Sequence, residues 1–275
     1  MSVVFDFSGK VVLVTGAGRG VGRVTAATFA DAGALVVAAD RDAPGLAGTV
    51  APHPGRMIAA QADISTAEGA GEVVSRAVRE FGRLDICVNN AAVAPHTSLL
   101  EERVEVWDRV YAVNCRGTFL VTQAAARAMI ERGAGGRIIN FSSGVSSRGS
   151  AGAAAYASSR AATESFTRVA AIELAHHGIL VNCVSPGLID TQPKPLPPAM
   201  ASSLSARIPR LPLARPGLPE EVAAMVLWLS SEAASYVSGA VFSVDGAAGV
   251  GSRSEDPIVD DDIRYDWVTG RQRPG

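Results

Sequence analysis

Aromatic residues are scarce in this sequence, 5% of 275 positions, and only three cysteines are present. Cys87, Cys115 and Cys183 are odd in number, far apart and each set in an apolar stretch, a pattern of buried free thiols rather than of a disulfide framework or a metal site. No run approaches the ~18 consecutive apolar residues of a membrane span, so no membrane association is expected. Neither sign of charge dominates. Lys and Arg number 25 against 27 Asp and Glu, for a formal charge of -2, which argues against nucleic acid and anionic lipid as partners. The start, Met1-Ser2-Val3-Val4-Phe5-Asp6-Phe7, lacks the basic region and apolar core of a signal peptide. His53, His96, His176 and His177 lack the spacing of metal ligands or of a catalytic triad and read as surface or loop residues. His96 is the one close enough to a motif to be a candidate for a pocket wall. No metal site is expected, and the chain reads as a soluble, cytoplasmic protein.

Apolar residues make up 48% of the chain, with Ala and Gly abundant, as suits helices packed closely on a sheet. Strands are predicted at Val11–Thr15, Leu35–Asp40, Met57–Ala62, Leu84–Asn89, Arg137–Phe141, Ile179–Val184 and Val241–Val244. Several are apolar almost throughout, the mark of strands buried on both faces. Helix-period segments separate them, among them long helices around residues 103–131 and 155–176. Ser65 and Glu68 form a capping-box pattern ahead of Val74, Ala77, Val78 and Phe81. Pro219 suits a first helical position, with Glu220 and Glu221 favourable to the dipole, and Val222, Met225, Val226 and Leu229 make one apolar stripe. Alternating strands and helices predict a single α/β domain over residues 1–251 with a parallel sheet and right-handed crossovers. Two segments stand apart. Residues 190–218 are rich in proline and come after a strand's carboxyl end, where either a substrate lid or a plain connecting loop would sit. The tail, Ser252–Gly275, is acidic at Asp260-Asp261-Asp262 and carries Tyr265 and Trp267. It is read either as disordered or as docking on a neighbouring subunit through its aromatics.

The most informative stretch joins the first strand to the first helix. Val11-Val12-Leu13-Val14 runs into Thr15-Gly16-Ala17-Gly18-Arg19-Gly20-Val21-Gly22, and a helix extends to Gly33. Glycines at such a turn let the backbone approach a pyrophosphate, and the helix N-terminus adds free N–H groups and a positive dipole end. Asp40 closes the next predicted strand, eighteen positions after Gly22. Its carboxylate can accept from both adenosine ribose hydroxyls and repels a 2′-phosphate. Like charges about 4 Å apart cost roughly 4 kcal/mol at an effective dielectric of 20. Arg19 and Arg41 offset part of this repulsion. The expected cofactor is NAD rather than NADP.

The spacing Thr15-Gly16-x-x-x-Gly20-x-Gly22 resembles the classical short-chain dehydrogenases/reductases, and the resemblance continues in order along residues 10–248. Asp63-Ile64 is similar to the family's adenine contact. Asn89-Asn90-Ala91-Ala92 resembles the motif after the fourth strand, with alanine where glycine is usual. Asn114 in Val113-Asn114 matches the active-site asparagine. Ser142-Ser143 come directly after the fifth strand, and Tyr156 lies thirteen residues beyond Ser143. Pro186-Gly187-Leu188-Ile189-Asp190-Thr191 resembles the segment that holds the nicotinamide carboxamide. The resemblance implies a Rossmann-like doubly wound sheet of about seven strands, a homotetramer, and hydride transfer between NAD and a small secondary alcohol or ketone. Gly16, Arg19, Gly20, Val21, Gly22, Asp40, Arg41, Asp63, Ile64, Asn90, Ala91, Tyr156, Arg160, Pro186, Gly187, Ile189 and Thr191 would line the cofactor. Tyr156 would exchange the proton with the substrate oxygen, Ser143 would polarise that oxygen, and Asn114 would hold a water in the proton path.

One position departs from the family, Arg160 in place of lysine four residues after the tyrosine. Tyr156 and Arg160 are one helical turn apart and share a face. An unperturbed tyrosine, with a pKa of about 10, is a poor base at neutral pH, and a neighbouring cation corrects this whichever side chain carries it. Arginine also reaches ribose hydroxyls, but it does not release a proton to a relay as an ammonium can. The sequence admits two functions: an NAD-dependent oxidoreductase, or a non-catalytic dinucleotide-binding protein of the same fold with a structural or redox-sensing role. Val93, Pro95, Val145 and Leu188 give the expected pocket a partly apolar wall.

Overall fold

The computed structural model describes residues 5–191, 198–251, 265–266 and 271–272. Seven parallel strands form one sheet: β1 (Val11–Thr15), β2 (Leu35–Asp40), β3 (Met57–Gln61), β4 (Ile86–Asn89), β5 (Gly136–Phe141), β6 (Ile179–Pro186) and β7 (Val241–Val244). Their spatial order is β3-β2-β1-β4-β5-β6-β7. All seven lie where the apolar runs predict them, three with the same bounds and four with ends shifted by one or two residues. The order reverses beside β1, where the chain leaves for β2 on one side and returns as β4 on the other. The crevice outside the carboxyl ends of β1 and β4 is where such sheets bind ligands.

Alternation along the strands divides the interior into two layers. Val12, Val14, Val36, Ala38, Ile139 and Val184 face α1 (Gly20–Asp31) and α9 (Pro219–Ser230), with Phe29, Ala30, Val222 and Val226 packed against them. Val11, Leu13, Val37, Cys87, Ile138 and Val181 face α3 (Ala67–Phe81), α5 (Thr118–Arg132) and α7 (Ala154–Leu174). Both faces are therefore dry, which is why β1 is buried at every position. Met225 is half-buried beside the stripe of Val222, Val226 and Leu229. Cys87 and Cys183 are buried free thiols whose pKa burial pushes up to about 12. Cys115 is free and half-buried.

Three expectations need correction. Helix α3 is capped by Thr66, whose hydroxyl accepts from the Gly69 amide at 3.0 Å, and not by Ser65 with Glu68. Ser65 is already engaged, donating to the Asp63 carboxylate at 2.7 Å, and so the helix starts one residue later. The long helix expected near residues 103–131 is three pieces: α4 (Val104–Tyr111), a π-helical turn Ala112–Gly117 and α5. The 190–218 segment is more than a loop, since it holds α8 (Pro198–Arg207) and a 3₁₀ turn Ile208–Arg210. Two short helices complete the set, α2 (Ala43–Val50) and α6 (Val145–Arg148). In the tail, Tyr265–Asp266 pairs antiparallel with Arg271–Gln272. Trp267, the acidic run and residues 192–197 lie outside the described residues. No helix of the described residues is long and apolar enough to cross a membrane, and none of their His, Cys, Asp and Glu side chains cluster to hold a metal.

Candidate active site

The turn from β1 into α1 is built mostly from backbone. A Cβ on Gly22 would lie 2.2 Å from the Gly16 carbonyl oxygen, so no side chain fits. Gly20 has φ +56°, and an added Cβ there would touch Thr191 at 3.4 Å. Asn90 Nδ2 donates to the carbonyls of Thr15 (3.0 Å) and Gly16 (3.1 Å), fixing the turn from the β4 side. The amide of Ala91 donates to Thr15 Oγ1. From the opposite side the Arg23 guanidinium donates to the Gly18 carbonyl and, at 3.1 Å, to Gly45. Arg23 belongs to none of the motifs, though its place one turn into α1 puts it under the loop. Helix α1 starts with no side-chain cap and no acid in its first turn. Its leading N–H groups are left free for an anion.

Asp40 stands against this turn. Its Oδ2 accepts from the Gly18 amide at 2.9 Å and its Oδ1 from the Asp42 amide at 3.1 Å. Arg19 and Arg41 are exposed on either side of it. Val21 and Ala91 are half-buried along the same crevice. Asp63 is held by the Ser65 amide and hydroxyl and by Arg109 Nη2 at 3.1 Å. Partial burial works to raise the Asp63 pKa, but these hydrogen bonds and the Arg109 charge hold it below the usual carboxylate value. Ile64 is packed in the core against Gly117.

The 186–191 segment closes the far side. Gly144 N donates to the Pro186 carbonyl, Gly187 lies so close to Asp245 that a Cβ would come within 2.7 Å of it, and Ile189 bridges to Gly217. Thr191 then reaches back to Gly20. The structure thus brings residues 16–22 and 186–191 to one crevice, although more than 160 positions separate them.

Ser143, Tyr156 and Arg160 meet at the end of β5. Ser143 lies just past the strand, and Tyr156 and Arg160 project from one face of α7. Ser143 and Arg160 are the polar side chains that act on the Tyr156 hydroxyl. Arg160 Cζ lies 5.2 Å from the tyrosine ring centroid. Burial works to raise the Tyr156 pKa, yet the Arg160 charge, with the polar influence of Arg160 and Ser143, holds it below the ordinary tyrosine value. Arg160 is 3% exposed, donates from Nη1 to the Phe141 carbonyl at 2.8 Å, and makes no carboxylate ion pair among the described residues. Its buried Nε has no partner there. A buried cation without a counter-charge is costly in a core and is typical of a site where charge is used.

Asn114 is fully buried in the π-helical turn, an irregularity common at functional sites. Its side-chain oxygen accepts from the Val93 amide, and its Nδ2 donates to the Val93 carbonyl and to Ser159 Oγ, each at 3.0 Å. Both amide hydrogens are therefore taken by protein, while the side-chain oxygen accepts one hydrogen bond. The Asn114 backbone carbonyl accepts from Thr118 Oγ1 at 2.8 Å and from Thr163 Oγ1 at 3.5 Å. Val93, Pro95 and Val145 are half-buried on nearby loops, while Leu188 lines a cavity of about 250 Å³ with Leu211, Leu213 and Val244. His96, His176 and His177 are exposed, and His53 is half-buried 3.5 Å from Asp31.

Residues 16–248 match the protein family described as Enoyl-(Acyl carrier protein) reductase. The chain belongs to the classical short-chain dehydrogenases/reductases. It is 38% identical over 248 residues to the 3-oxoacyl-[acyl-carrier-protein] reductase FabG of Thermotoga maritima, covering 86% of this chain and 97% of the relative. It is 40% identical over 249 residues to the (3R)-3-hydroxyacyl-CoA dehydrogenase of Mus musculus, covering 86% and 95%. A solved short-chain type dehydrogenase/reductase from Mycobacterium marinum superposes with a TM-score of 0.82 at 36% identity, over 89% of this chain and 97% of that one. As a member of the short-chain dehydrogenases/reductases, the chain is an oxidoreductase that uses a nicotinamide dinucleotide. The residues present fit that group: a glycine turn with no room for side chains, an uncapped helix start, and an orphaned guanidinium nitrogen beside the tyrosine.

Proposed function

We propose that this protein interconverts a small secondary alcohol and a ketone using NAD, with Tyr156 as proton donor and acceptor. When bound, the nicotinamide supplies or accepts the hydride, and the chain's own residues supply everything else. Ser143 and the Tyr156 hydroxyl, brought together at the end of β5, are placed to grip one substrate oxygen. Arg160 favours the phenolate, so that Tyr156 takes the alcohol proton in oxidation and returns it in reduction. Arg160 does not pass a proton onward. The proton therefore leaves Tyr156 through solvent, with Asn114 holding a water in its path. The observation that carries this reading is the buried Arg160 guanidinium, which has no carboxylate ion pair among the described residues and lies against Tyr156, 5.2 Å from its ring centroid.

The cofactor side obeys the same logic. Gly16, Gly20, Val21, Gly22 and the start of α1 receive the pyrophosphate; Asp40 receives the adenosine ribose between Arg19 and Arg41. Asp63, Ile64, Asn90 and Ala91 border the adenine side, and Pro186, Gly187, Ile189 and Thr191 the nicotinamide side. The segment 190–218 acts as the substrate lid of a domain spanning residues 1–251, with 252–275 as an appended tail. Val104 (67% exposed), Phe119, Val169 and Ile172 (77%) leave apolar surface on α4, α5 and α7, which a cytoplasmic homotetramer would cover.

The test is a panel of secondary alcohols and ketones with NAD and with NADP, read through the absorbance of the reduced nicotinamide. Turnover that survives intact in Tyr156→Phe overturns the mechanism. Absence of turnover across the panel, with dinucleotide still bound, supports the non-catalytic alternative.

A further inference from the structure

Helix α7 carries one more polar residue in line with the site. Tyr156, Arg160 and Glu164 are spaced four apart and lie along one face. The Glu164 carboxylate turns towards the loop that bears Ser143. Ser142 Oγ donates to Glu164 Oε1 at 2.5 Å. Ser146 Oγ stands within hydrogen-bond distance of the same oxygen and of the Ser143 carbonyl, the latter at 2.7 Å. The flanking backbone is tied elsewhere: the Ser142 amide donates to Val184 O at 2.8 Å and the Gly144 amide to Pro186 O at 3.1 Å, both on β6. The loop is thus hung from β6 by its backbone and from α7 by two hydroxyls on one carboxylate.

We infer that Glu164 is a positioning residue that sets the spacing between Ser143 and Tyr156 by clamping Ser142 and Ser146 to the helix that carries the tyrosine. The inference rests on the proposed roles of Ser143 and Tyr156. The two residues must hold one substrate oxygen together, and they arrive on different elements that no covalent constraint keeps in register. Misplacement on the scale of an ångström is costly in such a pair. Hydrogen bonds to an ionised carboxylate are the stronger class available to hold it. Glu164 makes no ion pair with Arg160 among the described residues, so it secures the loop without cancelling the charge that Tyr156 uses. It touches neither the glycine turn nor Asp40.

The test compares Glu164→Ala, Glu164→Gln, Ser142→Ala and the double variant Ser142→Ala/Glu164→Ala with the native protein. Glu164→Ala is expected to lower kcat about 30-fold while the dissociation constant for NADH, read by its fluorescence, stays within about twofold. Glu164→Gln keeps an oxygen acceptor for both hydroxyls and is expected to recover most of that turnover. The double variant falls little below Glu164→Ala, because both changes remove one clamp. A kcat for Glu164→Ala equal to the native value overturns the proposal. So does a loss shared in proportion by kcat, NADH binding and thermal midpoint, since that marks general unfolding. Hydrogen exchange over residues 142–149 needs no substrate. It should quicken in Glu164→Ala and not in Glu164→Gln, and unchanged exchange in Glu164→Ala overturns the clamp whether or not a substrate has been found. Failure of the functional reading shows separately, as a native protein that binds NADH and turns nothing over.

Discussion

The dinucleotide crevice and the catalytic corner are built in opposite ways. Around residues 15–22 the contacts are carbonyls, amides and missing side chains, and Asn90 and Arg23 hold the turn by its backbone. Around Ser143, Tyr156 and Arg160 the contacts are side-chain heads whose chemistry the proposed mechanism uses. The first region fails when anything is added. The second fails when a head group is exchanged, even for one of similar size. Substitutions in the two regions should therefore separate binding from chemistry, and the predictions test that separation.

The largest effects come from one change in each region. Gly22→Ala puts a carbon where 2.2 Å separates it from the Gly16 oxygen, so the turn must open. NADH binding should be lost by direct titration, and the thermal midpoint should fall as well. Native-like affinity in Gly22→Ala would break the view that the crevice is made by close backbone approach. Tyr156→Phe removes a single oxygen. Turnover should drop by about 10³-fold or more, in line with loss of a general acid–base group, while NADH binding changes little. If Tyr156→Phe loses binding and turnover together, the two regions are not separable.

Arg160 gives a pH-dependent version of the same test. Its charge holds the Tyr156 pKa below the ordinary value. Oxidation needs the phenolate, so the rate rises with pH through that pKa. Arg160→Ala raises the pKa and must move the rise to higher pH; Arg160→Lys keeps the cation and should leave it close to its native position. A profile that does not move in Arg160→Ala shows that the guanidinium is not the group tuning the tyrosine. The chain has only two lysines, Lys10 and Lys194. Arginine at position 160 therefore fits a protein that uses arginine for nearly all its positive charge, and need not mark a site that has lost its chemistry.

What the amino-acid order reveals differs between the two regions for a physical reason. The β1 turn is local: strand, glycines and helix lie within one stretch, and the pattern shows them directly. The sheet was equally legible, because strands buried on both faces must be apolar throughout. The catalytic corner is assembled from residues far apart, and family spacing located its head groups but not their supports. Glu164, Arg23 and Arg109 carry no motif; their roles appear only once helices meet loops. The π-helical turn at Asn114 has no signature in apolar periodicity, since the flanking helices keep theirs. The Ser65 capping pattern misled because Asp63, two residues earlier, competes for that hydroxyl.

Asp40 joins the regions through cofactor choice, with a moderate expected effect. NAD(H) should bind more tightly than NADP(H), because the carboxylate beside Gly18 repels a 2′-phosphate. Asp40→Ser should narrow the difference by about tenfold, with the loss of one like-charge repulsion partly screened at a half-exposed site. Calorimetric titration of both cofactors decides it. Tighter NADP(H) binding by the native protein would reverse the assignment and give Arg19 and Arg41 the leading role.

The smallest effect concerns the cap of α3, where the fold can be tested apart from either region. Thr66 Oγ1 accepts from the Gly69 amide, one of the four leading amides without a partner inside the helix. Thr66→Ala leaves that amide to solvent and should cost about 1 kcal/mol, a fall of roughly 2 °C in thermal midpoint for a chain of this size. Thr66→Ser keeps the acceptor and should be close to neutral. Glu68→Gln, which would matter if Ser65 and Glu68 formed the cap, should leave stability within about 0.5 kcal/mol, as for a surface change away from any such feature. Turnover and NADH affinity should be unchanged in all three, because α3 packs beneath the sheet and Thr66 touches neither the glycine turn nor Tyr156. A larger loss in Glu68→Gln than in Thr66→Ala would restore the capping box at Ser65 and move the helix start back by one residue.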